Sequence, residues 1–393
     1  MRSPLLTARF TLRILQAMGL SALVPLAGCG SVIVEGDGAG GDGGSTGDGG
    51  SGGAPCVVEE EPGETLHHVC LAECPPEGEV NAAVAAAVES DSCDEWCCTT
   101  VSMASQPCGP SLENGLCCFD VTTSSEEICM GRPFIVGGAA RVAPSEARGD
   151  WAEAAAPGLA GLDQDTRCAL AAAWLQDGLF EHASIASFAR FSLELLAVGA
   201  PPELLLAAQK AASDEVEHAR ACFGLASAYG GEPRGPAALD VSGGAPRQAL
   251  ADVAEAAARE GCVGETLSAM CARAAFEEAR DPAVRAALAR IAGDEEEHAA
   301  LAWRFVAWAL SHGDAETTRR VRRVFEEAAV DVIMTGEADA ARVDPAAWRA
   351  HGRLSAAERA SVMRRGLVEV VRPCAAALLG PSADAMHDAL ASW

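Results

Sequence analysis

The chain has 393 residues, 49% of them hydrophobic and 22% charged, and 56 acids against 29 basic residues give a formal charge of −27. That length and apolar content allow two or three folded units with at least one sizeable core, while the acidity repels phosphate backbones and argues against nucleic acid as a partner. The charge is uneven: residues 1–29 carry +3, residues 30–150 carry −18 and residues 151–393 carry −12.

Arg2, Arg9 and Arg13 form a positive start before the apolar run Ile14 to Leu26. The run is shorter than the ~20 residues of a spanning helix and reads as a signal peptide over 1–28. It ends in Leu26-Ala27-Gly28-Cys29, which resembles a bacterial lipobox. The resemblance implies cleavage before Cys29, a lipid on its thiol, and a membrane as partner through that lipid. Gly30 in place of Asp resembles lipoproteins sorted to the outer membrane and facing the periplasm. Residues 29–55 then form the lipidated Cys and a linker of Gly, Asp and Ser that has too little apolar surface to fold. Ten cysteines follow within 56–130 (56, 70, 74, 93, 97, 98, 108, 117, 118 and 129). In an oxidising compartment they predict a disulfide-rich segment with little core of its own. Zinc and rubredoxin-type sites use Cys-x-x-Cys turns, and none occurs in this segment. The pairing is not legible from spacing. Residues 131–162, punctuated by Gly and Pro, read as an extended connector.

From residue 163 the texture is Ala-rich with a helical period, interrupted only by short Pro/Gly stretches. Helices are predicted over about 166–198, 202–229, 247–279 and 282–312, with Gly199-Ala200-Pro201-Pro202 and Asp281-Pro282 at the two tight turns and a crossover over 230–246. Two helical hairpins joined by one long connection describe an all-α four-helix bundle over 163–312. The remaining residues, 313–393, predict further helices at about 314–340 and 355–371. The second opens on the capping-box pattern Ser355-Ala-Ala-Glu358 and is expected to stop at Pro373.

The hairpins repeat one another. Asp214-Glu215-Val216-Glu217-His218-Ala219 and Asp294-Glu295-Glu296-Glu297-His298-Ala299 lie 80 residues apart, each 12 residues past a helix-opening proline, Pro202 or Pro282. Glu-x-x-His puts both side chains on one helix face about a turn apart, where they can share an ion. A single such motif means little in so acidic a chain; two at equivalent points of a repeat carry weight. The preceding helix of the first hairpin supplies Glu181 within an otherwise apolar stripe containing Trp174, Ile185 and Phe188, a costly place for an unpaired carboxylate. Helix three offers Glu265 or, as the alternative, Glu260. Ungapped alignment of the hairpins sets position 261 opposite Glu181. Glu265 lies one turn on along the same face, and Glu265-Thr-Leu-Ser268 echoes Glu181-His-Ala-Ser184, so Glu265 is preferred. His182, Cys222 and the pair His67-His68 read as structural or solvated, and Trp303, Phe305 and Trp308 as core.

This constellation resembles the ferritin-like di-iron carboxylate superfamily, nearest to rubrerythrin and bacterioferritin-type bundles. The resemblance implies a site for two Fe or Mn ions, with Glu181 and Glu265 as carboxylates of the first and third helices. It further implies Glu215 and Glu295 as bridging carboxylates and His218 and His298 as nitrogen ligands, a mixed set that suits Fe or Mn. It also implies a small-molecule oxidant, peroxide or dioxygen, or ferrous iron to be oxidised, and an electron donor that the sequence does not name. Three features depart from the relatives. The rubredoxin-like Cys-x-x-Cys module is missing, a tethered disulfide-rich segment sits badly with a closed storage cage, and Tyr229, the only Tyr, lies 11 residues past His218, ~16 Å along a helix. A tyrosyl-radical enzyme is therefore disfavoured. The competing readings are an anchored metal-binding protein without turnover and a metal-free structural bundle.

Overall fold

A computed structural model describes residues 4–20, 64–88, 90–93, 97–103, 105–113, 116–129, 131–328 and 343–380. Cys29, Cys56 and the Gly/Asp/Ser linker lie outside the described residues. The chain is mostly helical, with a disulfide-bonded N-terminal segment, and divides into two compact units: residues 21–89 with 102–124, and residues 1–20, 90–101 and 125–393.

In the smaller unit, β1 (Glu64–Leu71) pairs antiparallel with β5 (Leu116–Cys129), whose other edge meets β4 (Cys108–Glu113). Cys70 lies opposite Cys118 in the β1–β5 register, and these two are bridged; a second disulfide joins Cys74 to Cys117. Cys108 is also disulfide-bonded. The only apolar cluster among the described residues of this unit is Val84 of α2 (Val80–Val88) with Cys117, Phe119 and Val121. So small a core needs covalent staples. β2 (Ser90–Cys93), which belongs to the larger unit, pairs antiparallel with β3 (Cys97–Met103).

The larger unit is built on four long rods. α3 (Gln164–Ala197) starts at Asp163, whose carboxylate accepts the Thr166 N–H at 2.7 Å. α4 (Pro202–Gly230) has proline in its first turn, where the missing N–H has no helical partner to lose, and ends at Gly231 with φ +82°, the left-handed cap. α7 (Pro282–His312) repeats the proline start and is capped by Asp281. The third rod differs from a plain helix. α5 (Leu250–Ala256) runs into a nine-residue π-helical segment (Ala257–Glu265) and then α6 (Thr266–Glu278). π turns place more residues in each turn and recur at functional positions. α3 packs along α4, and α7 packs against α4, the π segment and α6 around a shared apolar core that includes Trp174, Phe188, Phe191, Trp303 and Phe305.

Elsewhere the fold departs from the sequence reading in places that matter. The connector is anchored: Ser145–Glu146 pairs as a short strand with Gly235–Pro236, and the Gly131 N–H donates to Gly264 O at 3.1 Å. α8 (Ala315–Glu327) begins as expected, but 329–342 falls outside the described residues. After α9 (Pro345–Ala350), the Ser355–Glu358 capping box opens α10 (Ala356–Gly366), yet the helical path passes Pro373. A π segment (Leu367–Val371) precedes Pro373, which sits at the start of α11 (Arg372–Leu379), where its lack of a donor is harmless. The N-terminal apolar segment forms α1 (Pro4–Ala17), with Phe10, Ile14 and Leu15 buried in the same core and Arg13 paired to Glu296 and Glu297. No described helix is long and apolar enough to cross a membrane.

Candidate metal centre

The midpoints of the four rods carry the six expected side chains, and the fold brings them together. Ligand atoms of Glu181, Glu215, His218 and Glu295 lie within 4.8 Å of one another, and so do those of Glu265, Glu295 and His298. Glu295 belongs to both groups. Its Oε1 is 3.6 Å from Nδ1 of His218 and 3.6 Å from Nδ1 of His298. Glu215 is its counterpart, with one oxygen 3.7 Å from His218 Nδ1 and the other 3.1 Å from His298 Nδ1. Glu181 flanks the His218 side, at 3.7 Å from Nδ1. Adjacent ligand atoms of an ion coordinated at about 2.0–2.2 Å sit roughly 3 Å apart, close to these spacings.

The imidazoles are aimed by reciprocal contacts. Nε2 of His218 meets Asp294 at 3.2 Å, and Nε2 of His298 meets Asp214 at 3.3 Å, so each hairpin's aspartate orients the other hairpin's histidine. A carboxylate on the far nitrogen fixes the ring's rotation and leaves Nδ1 basic. Lys210, the only lysine, reaches both aspartates, at 2.5 Å from Asp214 and 3.8 Å from Asp294. Asp214 and Asp294 are not among the expected ligands, yet the sequence carries their signal: an Asp stands four residues before each motif histidine.

The donor set fits a metal. His218 Nδ1, His298 Nδ1, Glu215 Oε2 and Glu265 Oε1 are buried without a hydrogen-bond partner, although all four face polar neighbours. Buried polar atoms rarely remain unpaired, and these share one chemistry: nitrogen and oxygen lone pairs turned toward a common centre. Burial, reinforced by Glu215, pushes the Glu181 carboxyl well above its ordinary range; burial and Glu295 do the same to Glu265. Burial opposes charge on the histidines, but Asp294, Glu181 and Glu215 outweigh it at His218, and Asp214, Glu215 and Glu295 outweigh it at His298, so both imidazoles are held well above their usual value. Glu215 moves the other way, since His218 and His298 together outweigh its burial.

Glu260, the alternative ligand, lies elsewhere. It sits 3.2 Å from Arg247 and 3.6 Å from Arg190, in a buried network completed by Glu194. His182 turns away from the cluster and packs edge-on to Trp151 at 5.0 Å. Tyr229 shares a 2.6 Å hydrogen bond with His351. His68, Cys70 and Cys118 also lie close together, but the two sulfurs are joined as a disulfide and cannot act as thiolate ligands.

Two spaces adjoin the centre. A cavity of about 80 Å³ is walled by Trp174, Leu288 and Ile291, reaches Glu181 and Cys222, and is also lined by Arg353, which pairs with Asp177. A chamber of about 10 Å³ is bounded by all four carboxylates and roofed by the connector residues Gly131, Arg132 and Pro133. Arg132 was invisible to periodicity because it belongs to no helix. Its guanidinium lies over Phe188 and Phe191, 4.8 and 4.5 Å from the ring centroids, with Nε 3.5 Å from Glu265. Ala302 and Arg132 together fix the identity of residue 261: a Cβ on Gly261 would stand 2.3 Å from the Ala302 Cβ and 2.4 Å from Nη2 of Arg132.

The Glu/His cluster in a helical body is compatible with a ferritin-like site. No protein-family model matches the chain, and neither the curated proteins nor the solved structures contain a significant match.

Proposed function

We propose that residues 163–312 form a ferritin-like four-helix bundle holding two iron or manganese ions, and that the chain is an oxidoreductase acting on peroxide, dioxygen or ferrous iron. The supporting observation is the crossed arrangement at the centre: two Glu-x-x-His motifs share Glu215 and Glu295, and each imidazole is oriented by the opposite hairpin's aspartate. Glu181, Glu215, His218, Glu265, Glu295 and His298 would hold the pair. When bound, two such ions supply redox chemistry toward a small oxidant. The protein's own residues do the rest. Burial and a neighbouring carboxylate favour the protonated form of Glu181 and Glu265, and ligation would favour the ionised one. Asp214 and Asp294 keep the imidazoles aimed, and Phe188 packs edge-on to His298, among ligands that are themselves buried at Glu215, His218, Glu265, Glu295 and His298.

Elemental analysis of the purified full chain tests this reading: two Fe or Mn per chain are expected. Glu215→Ala and His298→Ala should lose metal while keeping helical circular dichroism. Full occupancy in the double variant would refute the assignment. Peroxide consumption or ferrous-iron oxidation by the loaded protein then separates turnover from storage or binding.

The chain's place in the cell belongs to the same proposal. Cleavage before Cys29 and acylation there would tether the protein to the outer membrane, facing the periplasm, with the linker as spacer. Intact-mass and N-terminal analysis of the mature protein decide it. A lipidated Cys29 at the N-terminus is expected; a mature chain that retains α1 seated against α7 would rule the anchor out.

A further inference from the structure

We infer that Arg132 creates an anion subsite on the carboxylate face of the centre, taking a water-sized anion such as fluoride or hydroxide; this rests on the metal reading above.

Arg132 is a full positive charge at 2% exposure, and its Nε and Nη2 have no hydrogen-bond acceptor. The 3.5 Å approach of Nε to Glu265 offsets part of the charge, but the contact is not a hydrogen bond, and Glu265 Oε1 is itself unpaired. Leaving charged donors unsatisfied in a protein interior is expensive. The surroundings were nonetheless shaped to keep the guanidinium there. Two phenylalanine faces clamp it, the Gly131–Gly264 hydrogen bond fixes its backbone to the π segment, and glycine at 261 leaves the space it fills. A residue serving only to balance Glu265 would be expected to hydrogen-bond it.

The position of the chamber gives the orphaned donors a purpose. Its lining includes Glu181, Glu215, Glu265 and Glu295 but neither histidine, so it opens on the side of the centre remote from the imidazoles. Its volume, about 10 Å³, is near that needed for one water-sized group. With two divalent ions bound, the charge of the four ligating carboxylates is cancelled and Arg132 leaves the chamber net positive. Planar or tetrahedral oxyanions are too large for it.

Fluoride is the probe, titrated by calorimetry into the metal-loaded full chain, with sulfate as the size control and elemental analysis on every sample. The wild type should bind fluoride and ignore sulfate. Arg132→Gln should keep its two ions and bind fluoride about ten- to hundredfold more weakly, the loss expected for one charge-assisted hydrogen bond. Arg132→Lys keeps the charge but gives up the planar stacking on Phe188 and Phe191, guards against loss of the buried charge in the first variant, and should fall between the two. Retained metal with unchanged fluoride affinity in Arg132→Gln would overturn the subsite and leave the metal centre standing. Loss of metal in Arg132→Gln would also overturn it, by showing that the guanidinium merely steadies Glu265. A wild type that binds no metal would overturn the metal reading itself, and the subsite with it.

Discussion

Replacing Asp294 by Asn is the most informative perturbation of the centre, because it changes no proposed ligand. Asp294 meets His218 Nε2 at 3.2 Å and is only partly buried, so the isosteric change leaves packing intact. What it alters is the imidazole. An amide accepts a hydrogen bond from Nε2–H more weakly, and its NH₂ can instead donate to Nε2, which would place the ring proton on Nδ1, the atom that must ligate. Loss of such an orienting carboxylate usually weakens metal binding by about 10- to 100-fold, or roughly 1.4–2.7 kcal/mol. Only one site should suffer, since His298 is oriented by Asp214. Anaerobic competition of Fe(II) or Mn(II) against a chromophoric chelator should therefore show one tight and one weakened ion in Asp294→Asn. Asp214→Asn should give the mirror result, and the double variant should weaken both. Glu297→Gln, on the same helix but half-exposed and paired with Arg13, is the control and should leave both affinities unchanged. Equal affinities in wild type and Asp294→Asn would refute the idea that the crossed aspartates organise the site.

The pH dependence of stability should invert when metal is added. In the metal-free chain Glu181, Glu265, His218 and His298 are raised, so the folded state binds more protons than the unfolded one; their stabilisation is complete below the unfolded values, about 4.3 and 6.5, and is lost as pH rises through the folded ones, whereas Glu215, shifted down, contributes above about 4.3. Melting temperatures of the free protein should fall from about pH 5 to 8 while the gain on adding metal widens; a gap that stays constant would contradict this linkage. Glu260→Gln should keep full metal content in elemental analysis but lower stability in urea by about 1–3 kcal/mol, because Arg190 and Arg247 lose a buried partner. Glu265→Gln should instead lose metal. Mild reduction should raise protease sensitivity within 64–124, where Cys70–Cys118 and Cys74–Cys117 lie, without changing metal content; metal lost with the disulfides would show that the two regions are coupled.

The helical rods were legible because their punctuation is chemical. Proline in the first turn at 202 and 282, a carboxylate cap at 281 and glycine at 231 act locally and need no tertiary context. The repeated Asp-Glu-x-x-His gave the two Glu-x-x-His pairs, since a helix translates spacing directly into a face. Two things were hidden. Helix three was read with a uniform period, and nothing in Ala257 to Glu265 announces π geometry, which answers to packing rather than propensity. Arg132 was hidden for the opposite reason: it lies in a connector whose Gly and Pro residues advertise only irregularity, and its placement depends on a contact between residues 131 and 264 that sequence distance conceals. Pro373 misled because the rule that proline ends a helix assumes a regular helix before it.

The π segment and the connector solve one problem together. Ungapped alignment of the hairpins sets position 261 opposite Glu181, and that position is occupied by glycine. A carboxylate there would collide with α7 and with Arg132, since even a Cβ would stand 2.3 Å from the Ala302 Cβ and 2.4 Å from Nη2. Looser winding through Ala257–Glu265 changes how many residues each turn consumes, so the carboxylate enters the centre from 265 while glycine keeps the position beneath the guanidinium. Regularising helix three, by deleting one residue between 257 and 263, should move Glu265 about 100° around its axis and out of the cluster. Such a deletion should lower metal content as much as Glu265→Gln does, whereas the same deletion in the exposed crossover at 241–244 should not. Full metal content in the helix deletion, beside its loss in Glu265→Gln, would show that the winding of helix three does not place Glu265.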